Sequence, residues 1–145
     1  MRLEDFDIKK MEKSLKRIRK MRSEIIEKTI NIESMIDRII IGSFDIKDKF
    51  RFRIEFLYDI SLRQKIEVLR KIKNREYKEL GNKIDKIRLI RNYFAHSPSG
   101  MFEDPVIISK LVKPIKAEEE FKKFNRIYDE CLFKLSEIIK EHKSV

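Results

Sequence analysis

The 145 residues suffice for one domain with a sizeable core and do not stretch to two. Hydrophobic and charged residues each make up 41% of the chain, and its 24 isoleucines exclude a disordered tail, while three scattered glycines exclude a phosphate-cradling loop. Lys and Arg number 35 against 25 Asp and Glu; the net +10 favours polyanions, RNA and DNA before an acidic membrane, with solubility as the plainer reading.

Residues 3–21 place Leu3, Phe6, Met11, Leu15, Ile18 and Met21 at helical steps, with a basic opposite face. The segment 23–41 continues through Ile26, Ile30, Met35, Ile36, Ile39 and Ile40 until Gly42-Ser43. One rod and a break near Arg22-Ser23 fit this pattern equally. Residues 49–56 alternate as a strand would, yet Phe50, Ile54, Leu57 and Ile60 also share a helical face. A helix is expected over 46–60, because neighbouring segments supply no obvious strand partner. Its Phe-Arg alternation is read as core aromatics with surface charges, and base stacking beside a basic groove is the alternative.

Ser61 opens a short helix over 61–73, with Leu62, Ile66, Leu69 and Ile72 inward. A long helix follows from about Glu76 to His96, stopped by Ser97-Pro98-Ser99-Gly100. The β-branched runs near 104–114 suggest a small hairpin or ordered loop. Residues 117–142 close the chain as a helix carrying Phe121, Phe124, Ile127, Tyr128, Cys131, Leu132, Leu135 and Ile138. The fold class expected is an all-α, up-and-down helical bundle.

The lone Cys131 permits no internal disulfide and reads as a small buried hydrophobe. His96 and His142 stand far apart and neither begins a metal-ligand spacing, so no metal or other cofactor is expected. No run approaches ~18 apolar residues, and the start MRLEDFDIKK carries acids and lacks the apolar core of a signal peptide. A cytoplasmic location without membrane attachment is the expectation.

The least ordinary stretch is Ile87-Arg88-Leu89-Ile90-Arg91-Asn92-Tyr93-Phe94-Ala95-His96. On a helical wheel Ile84, Ile87, Ile90 and Phe94 share the core face, and Arg91 borders it. Ala95, Arg88, Asn92 and His96 fill a polar arc, and Leu89 with Tyr93 form a second apolar strip. The small Ala95 leaves a hollow between Arg91 and His96. Two arginines, an amide and a histidine around a hollow suit a phosphate centre. Guanidinium forks hold phosphate oxygens, and imidazole moves a proton near neutral pH. RNA brings its own nucleophile, the 2′-hydroxyl, so neither a metal nor a protein nucleophile is required. The arc holds one histidine per chain and so lacks the second proton-transfer group, which a symmetric dimer meeting along the Leu89–Tyr93 strip supplies. The plainer reading is a capping His and a snorkelling Arg.

Arg91-Asn92-Tyr93-Phe94-Ala95-His96 resembles the Arg-x4-His signature of the HEPN superfamily, with Asn after the Arg. The wider frame is similar to its mannitol-repressor-like branch. Ile32-Glu33 and Ile36-Asp37 stand in the early helix, Lys65-Ile66 before the long one, and Phe94-Ala95-His96-Ser97 at its end. The similarity spans roughly residues 23–135. It implies a helical domain over 23–145, with 1–22 as a basic amphipathic extension. It also implies a homodimer with the motif pair at the cleft and metal-independent endoribonuclease activity in a toxin–antitoxin, defence or RNA-processing setting. RNA is then the partner, alongside a neutralising protein. Arg91 and His96 are the implied catalytic residues, Asn92 supports them, and Arg88, Tyr93 and Ser97 are substrate-binding candidates. A non-catalytic regulator or adaptor on the same fold is the competing class. A structural module whose Arg91–His96 cluster ties helices together is the third.

Overall fold

The computed structural model describes residues 3–72, 75–95 and 114–143. They form α1 (Leu3–Ser43), α2 (Lys49–Phe52, running on as a π turn, Arg53–Leu57), α3 (Leu62–Lys71), α4 (Arg75–Ala95) and α5 (Pro114–Lys143). Among the described residues there is no strand, and the chain is the all-α bundle that its periodicity predicts. The hairpin or loop expected at 104–114 lies outside the described residues as far as Pro114, which opens α5. Proline suits that position, because a first-turn N–H has no intrahelical acceptor to lose.

α1 passes Arg22-Ser23 without a break and is a single rod of 41 residues. Its buried stripe runs Ile18, Met21, Ile25, Thr29, Ile32, Ile36 and Ile39–Ile41. Continuity carries the phase set by Ile18 and Met21 onward, which corrects the sequence reading at Ile30. That side chain lies about 140° round the helix from Ile25 and is 62% exposed.

α1 and α5 lie side by side and parallel. Arg17 pairs with Glu118 at 2.8 Å, Lys28 donates to Asn125 Oδ1 at 2.8 Å, and Asn31 donates to the Tyr128 hydroxyl at 2.9 Å. α4 runs the other way along α5. Lys116 Nζ sits 5.6 Å from the Tyr93 ring centre, Lys83 pairs with Glu130 at 3.2 Å, and Tyr77 Oη lies 3.3 Å from His142 Nε2. The C-terminal end of α4 therefore stands beside the start of α5 and the first half of α1. Between these helices lie Ile84, Ile87, Ile90, Phe94, Phe124, Leu135 and Cys131, all buried. Burial pushes the Cys131 thiol up to about 12, so it is the inert apolar filler expected of it.

α3 begins on a reciprocal capping box. Gln64 N–H donates to Ser61 Oγ at 3.2 Å, and Ser61 N–H donates to Gln64 Oε1 at 2.8 Å. It packs on α4 where Gly81 stands opposite Arg70. A Cβ at Gly81 would come within 2.9 Å of Arg70 Cγ, so the close approach depends on hydrogen there.

Helix is what the structure has over 49–57, but its faces are not those expected. Phe50 is 75% and Phe56 48% exposed, whereas Leu57 is wholly buried. The π turn supplies the reason: Tyr58 N–H reaches back five residues to Arg53 O at 3.0 Å. One added residue rotates the later positions by about 100°, so Leu57 faces inward while Ile54 and Phe50, about one and two turns earlier, face out. The core-aromatic reading of this segment therefore fails at Phe50 and Phe56.

Candidate active site

The wheel drawn for α4 holds on its inner side: Ile84, Ile87, Ile90 and Phe94 are all buried. They anchor the helix against α1, α3 and α5 and thereby fix where the polar arc points. Arg91 is half-buried at the border of that face. Its Nη2 donates to Asn92 Oδ1 at 3.0 Å, and its buried Nε has no hydrogen-bond partner among the described residues. Among those residues, too, no carboxylate lies within ion-pairing distance of Arg91. Among the described residues a neutral amide holds this half-buried guanidinium and no acid answers its charge.

Arg88, one turn earlier, is placed differently. Its Nε donates to Asp85 Oδ1 at 2.8 Å, and both side chains are largely buried, so its charge is answered within α4. Asn92 faces the same side, half-buried. Tyr93 and Leu89 part company: Leu89 is 53% exposed, while Tyr93 packs against the core. The Tyr93 ring meets Phe94 edge-on at 5.2 Å and lies under Lys116 of α5. Burial, with Glu120 nearby, holds its hydroxyl above the usual tyrosine range. Tyr93 therefore joins α4 to α5. His96 and Ser97 follow Ala95 directly and lie outside the described residues. The structure thus brings Arg91 and Asn92 together, leaves Arg88 engaged by Asp85 and turns Tyr93 toward α5.

Beside this end of α4, a groove of about 220 Å³ lies between α1 and α5, lined by Lys10, Lys13, Arg17 and Glu118 among others. Arg17 is tied to Glu118 and stands 5.5 Å from the Phe121 ring centre. No ion pair involves Lys10 or Lys13 among the described residues.

A second polar cluster escaped the sequence reading, which used its residues only as markers. Lys65 of α3 is 2% exposed and pairs with Glu33 and Asp37 of α1, each at 2.9 Å. Burial raises the Asp37 carboxyl above the ordinary range against the opposing hydrogen bond from Lys65. For Lys65 burial pulls downward, but the hydrogen bonds to Glu33 and Asp37 outweigh it and hold the ammonium above its usual value. The i, i+4 spacing of Glu33 and Asp37 was the available signal, since it puts both carboxylates on one face.

No helix among the described residues is long and apolar enough to cross a membrane, and none of their His, Cys, Asp and Glu side chains gather into a group that could hold a metal ion. Compared with family models, curated proteins and solved structures, the chain matches none of them.

Proposed function

We propose that this protein binds RNA and cleaves it without a metal ion, as a HEPN-like domain acting in a symmetric dimer. The observation that carries the reading is Arg91, a half-buried guanidinium with no carboxylate partner among the described residues, one helical turn ahead of the helix end that leads into His96. Its described bond goes to Asn92 on the same helix, and among the described residues it ties no two helices together. In the proposed reaction the 2′-hydroxyl attacks the adjacent phosphorus as one His96 takes its proton. The bond to the 5′-oxygen breaks, and the dimer mate's His96 gives that oxygen a proton. The products are a 2′,3′-cyclic phosphate and a 5′-hydroxyl end. Arg91 offsets the charge that gathers on the phosphoryl oxygens, Asn92 orients it, and Lys10 and Lys13 lie at the same end to hold flanking phosphates.

The test is labelled RNA in excess EDTA with wild type, His96→Ala and Arg91→Ala. Wild type is expected to cut and leave cyclic-phosphate ends. His96→Ala should not cut, and Arg91→Ala should be slower by about 10²–10³-fold at unchanged melting temperature. Cutting by His96→Ala at the wild-type rate would sink the mechanism. Binding without cutting by any of the three would point to the non-catalytic regulator.

A further inference from the structure

The other end of the bundle carries a second basic feature. There the ends of α1 and α5 meet the short α2, and the space between them is a cleft of about 350 Å³. Arg38, Lys49, Arg53 and His142 line it together with apolar residues and Gly42, and among the described residues no carboxylate does. Among the described residues neither Arg38, Lys49 nor Arg53 forms an ion pair, although Arg51, between the last two, pairs with Glu55 at 3.0 Å. The buried Nε of Arg53 has no hydrogen-bond partner among those residues. Two nearby acids have closer partners: Asp48 caps α2 through Arg51 N–H, and Asp37 pairs with Lys65 while the Arg53 charge also reaches it. Arg38, Lys49 and Arg53 thus converge with His142 on one concave site without an ion pair among the described residues, although Asp37 on the far side of Arg53 feels its charge, and the cleft has room for a phosphate with its sugar.

The same segment exposes aromatic rings. Lys49 and Arg53, four residues apart, share the face turned to the cleft, and Phe50 and Ile54 form the neighbouring row about 100° round the helix. Phe50 is 75% exposed and Tyr58 66%. A cationic cleft with the exposed Phe50 ring beside it matches a ligand whose phosphates alternate with unstacked bases. The π turn at Arg53–Leu57 produces this arrangement, because it turns Leu57 into the core and leaves the Phe50 row to solvent.

We propose that this cleft and the Phe50 row form a binding surface for single-stranded RNA, with a phosphate seated among Arg38, Lys49 and Arg53 and a base stacked on Phe50. It rests on the RNA reading above but not on catalysis. Tyr77, which touches His142 at this end, and Arg91 are fourteen residues apart on α4, about 21 Å along the helix. The surface is thus a separate anchoring site for the strand.

The test measures binding in the His96→Ala protein, which keeps the RNA intact, with a fluorescent unstructured RNA oligonucleotide over a range of salt. Phe50→Ala is expected to weaken binding about tenfold with little change in salt slope. Arg38→Ala and Lys49→Ala should each lower the slope by about 0.7. All three side chains are exposed, so unchanged melting temperatures will show the fold intact. A duplex of the same sequence should bind more weakly, and its loss with Phe50→Ala should be small. Wild-type affinity and slope in all three variants would overturn this surface while leaving the RNA reading standing. Equal sensitivity for duplex and single strand would overturn the single-strand assignment. Phosphatidylserine vesicles captured through Phe50 while RNA binding stays unchanged would assign the surface to a membrane instead. Absence of any RNA binding by the parent protein would end both readings at once.

Discussion

Lys65 shows how much a single buried charge can decide. Its side chain is 3% exposed, and two carboxylates of α1, one of them equally shut away, close round it. Replacing it by Met leaves Glu33 and Asp37 facing each other without the ammonium that pairs with both, and only the Arg53 guanidinium remains near Asp37. Urea denaturation at pH 7 should show a loss of about 3–5 kcal/mol, the usual cost of removing one partner of a buried pair. Adding Asp37→Asn to that variant should recover part of the loss, because one of the stranded charges goes. Alone, Asp37→Asn should cost only about 1 kcal/mol, a hydrogen bond's worth, and its pH dependence has a definite sign. Burial raises the Asp37 carboxyl in the folded state, so folding favours the protonated form. That contribution is fully present below the unfolded value of about 4 and is lost as pH rises through the folded value. The stability of wild type relative to Asp37→Asn should therefore be greatest in acid and decline toward neutrality. A difference that grows with pH would mean that the ion pair, not burial, controls this carboxyl.

At the scale of elements, α3 is the segment most fully specified by its own residues. Ser61 and Gln64 satisfy each other's backbone donors, and Leu62, Ile66 and Leu69 then fall on one buried face. Ser61→Ala should cost about 1 kcal/mol in thermal or urea unfolding, and Ser61→Gly clearly less. α3, α4 and α5 were legible in the sequence because the Ser61 cap and a 3.6-residue period act locally, although Pro114, read as the edge of a loop, opens α5 three residues before the start expected at 117. The phase of α1 was less legible, because a helix of 41 residues fixes its inward face by long-range packing. Ile25 and Ile26 differ in burial although nothing in their immediate neighbours tells them apart. α2 was legible as a helix but not in its faces, since a π turn leaves no composition signature and shifts every later position. The candidate site divides along the same line. The core face of α4 and the place of Arg91 at its border could be read from spacing alone. That Tyr93 would lie under Lys116, and that Lys65 would close on Glu33 and Asp37, depended on which helices became neighbours.

Across the whole molecule, α1 is the element that spans both ends. Its early turns lie by Glu118 and the start of α5, its last turn by His142, and the buried Lys65 cluster is fixed to it in between. Arg91, near the first end, and Arg38, Lys49 and Arg53, near the second, form no ion pair among the described residues, and α1 runs as one unbroken rod between the two ends. A boundary after residue 22 falls inside that rod, and the turns before it are not merely surface. Ile18 and Met21 are each 1% exposed, and Arg17 holds Glu118 at 2.8 Å. Removing residues 1–22 would uncover the apolar faces of α4 and α5 that these side chains cover. Full burial of an Ile or Met side chain is worth about 1.5–3 kcal/mol, and the exposed arginine–carboxylate pair adds at most about 1 kcal/mol. Residues 23–145 alone should therefore unfold in a single transition at lower urea, with stability reduced by about 3–6 kcal/mol on this count, or fail to fold where the intact chain has no such margin. The same comparison made with Ile18→Ala in the full chain separates packing from charge, and about 2–5 kcal/mol of loss is expected from that substitution alone. An unchanged midpoint for the shortened chain would show instead that α4 and α5 close on each other without α1's first half, and that the basic turns serve the ligand and not the fold.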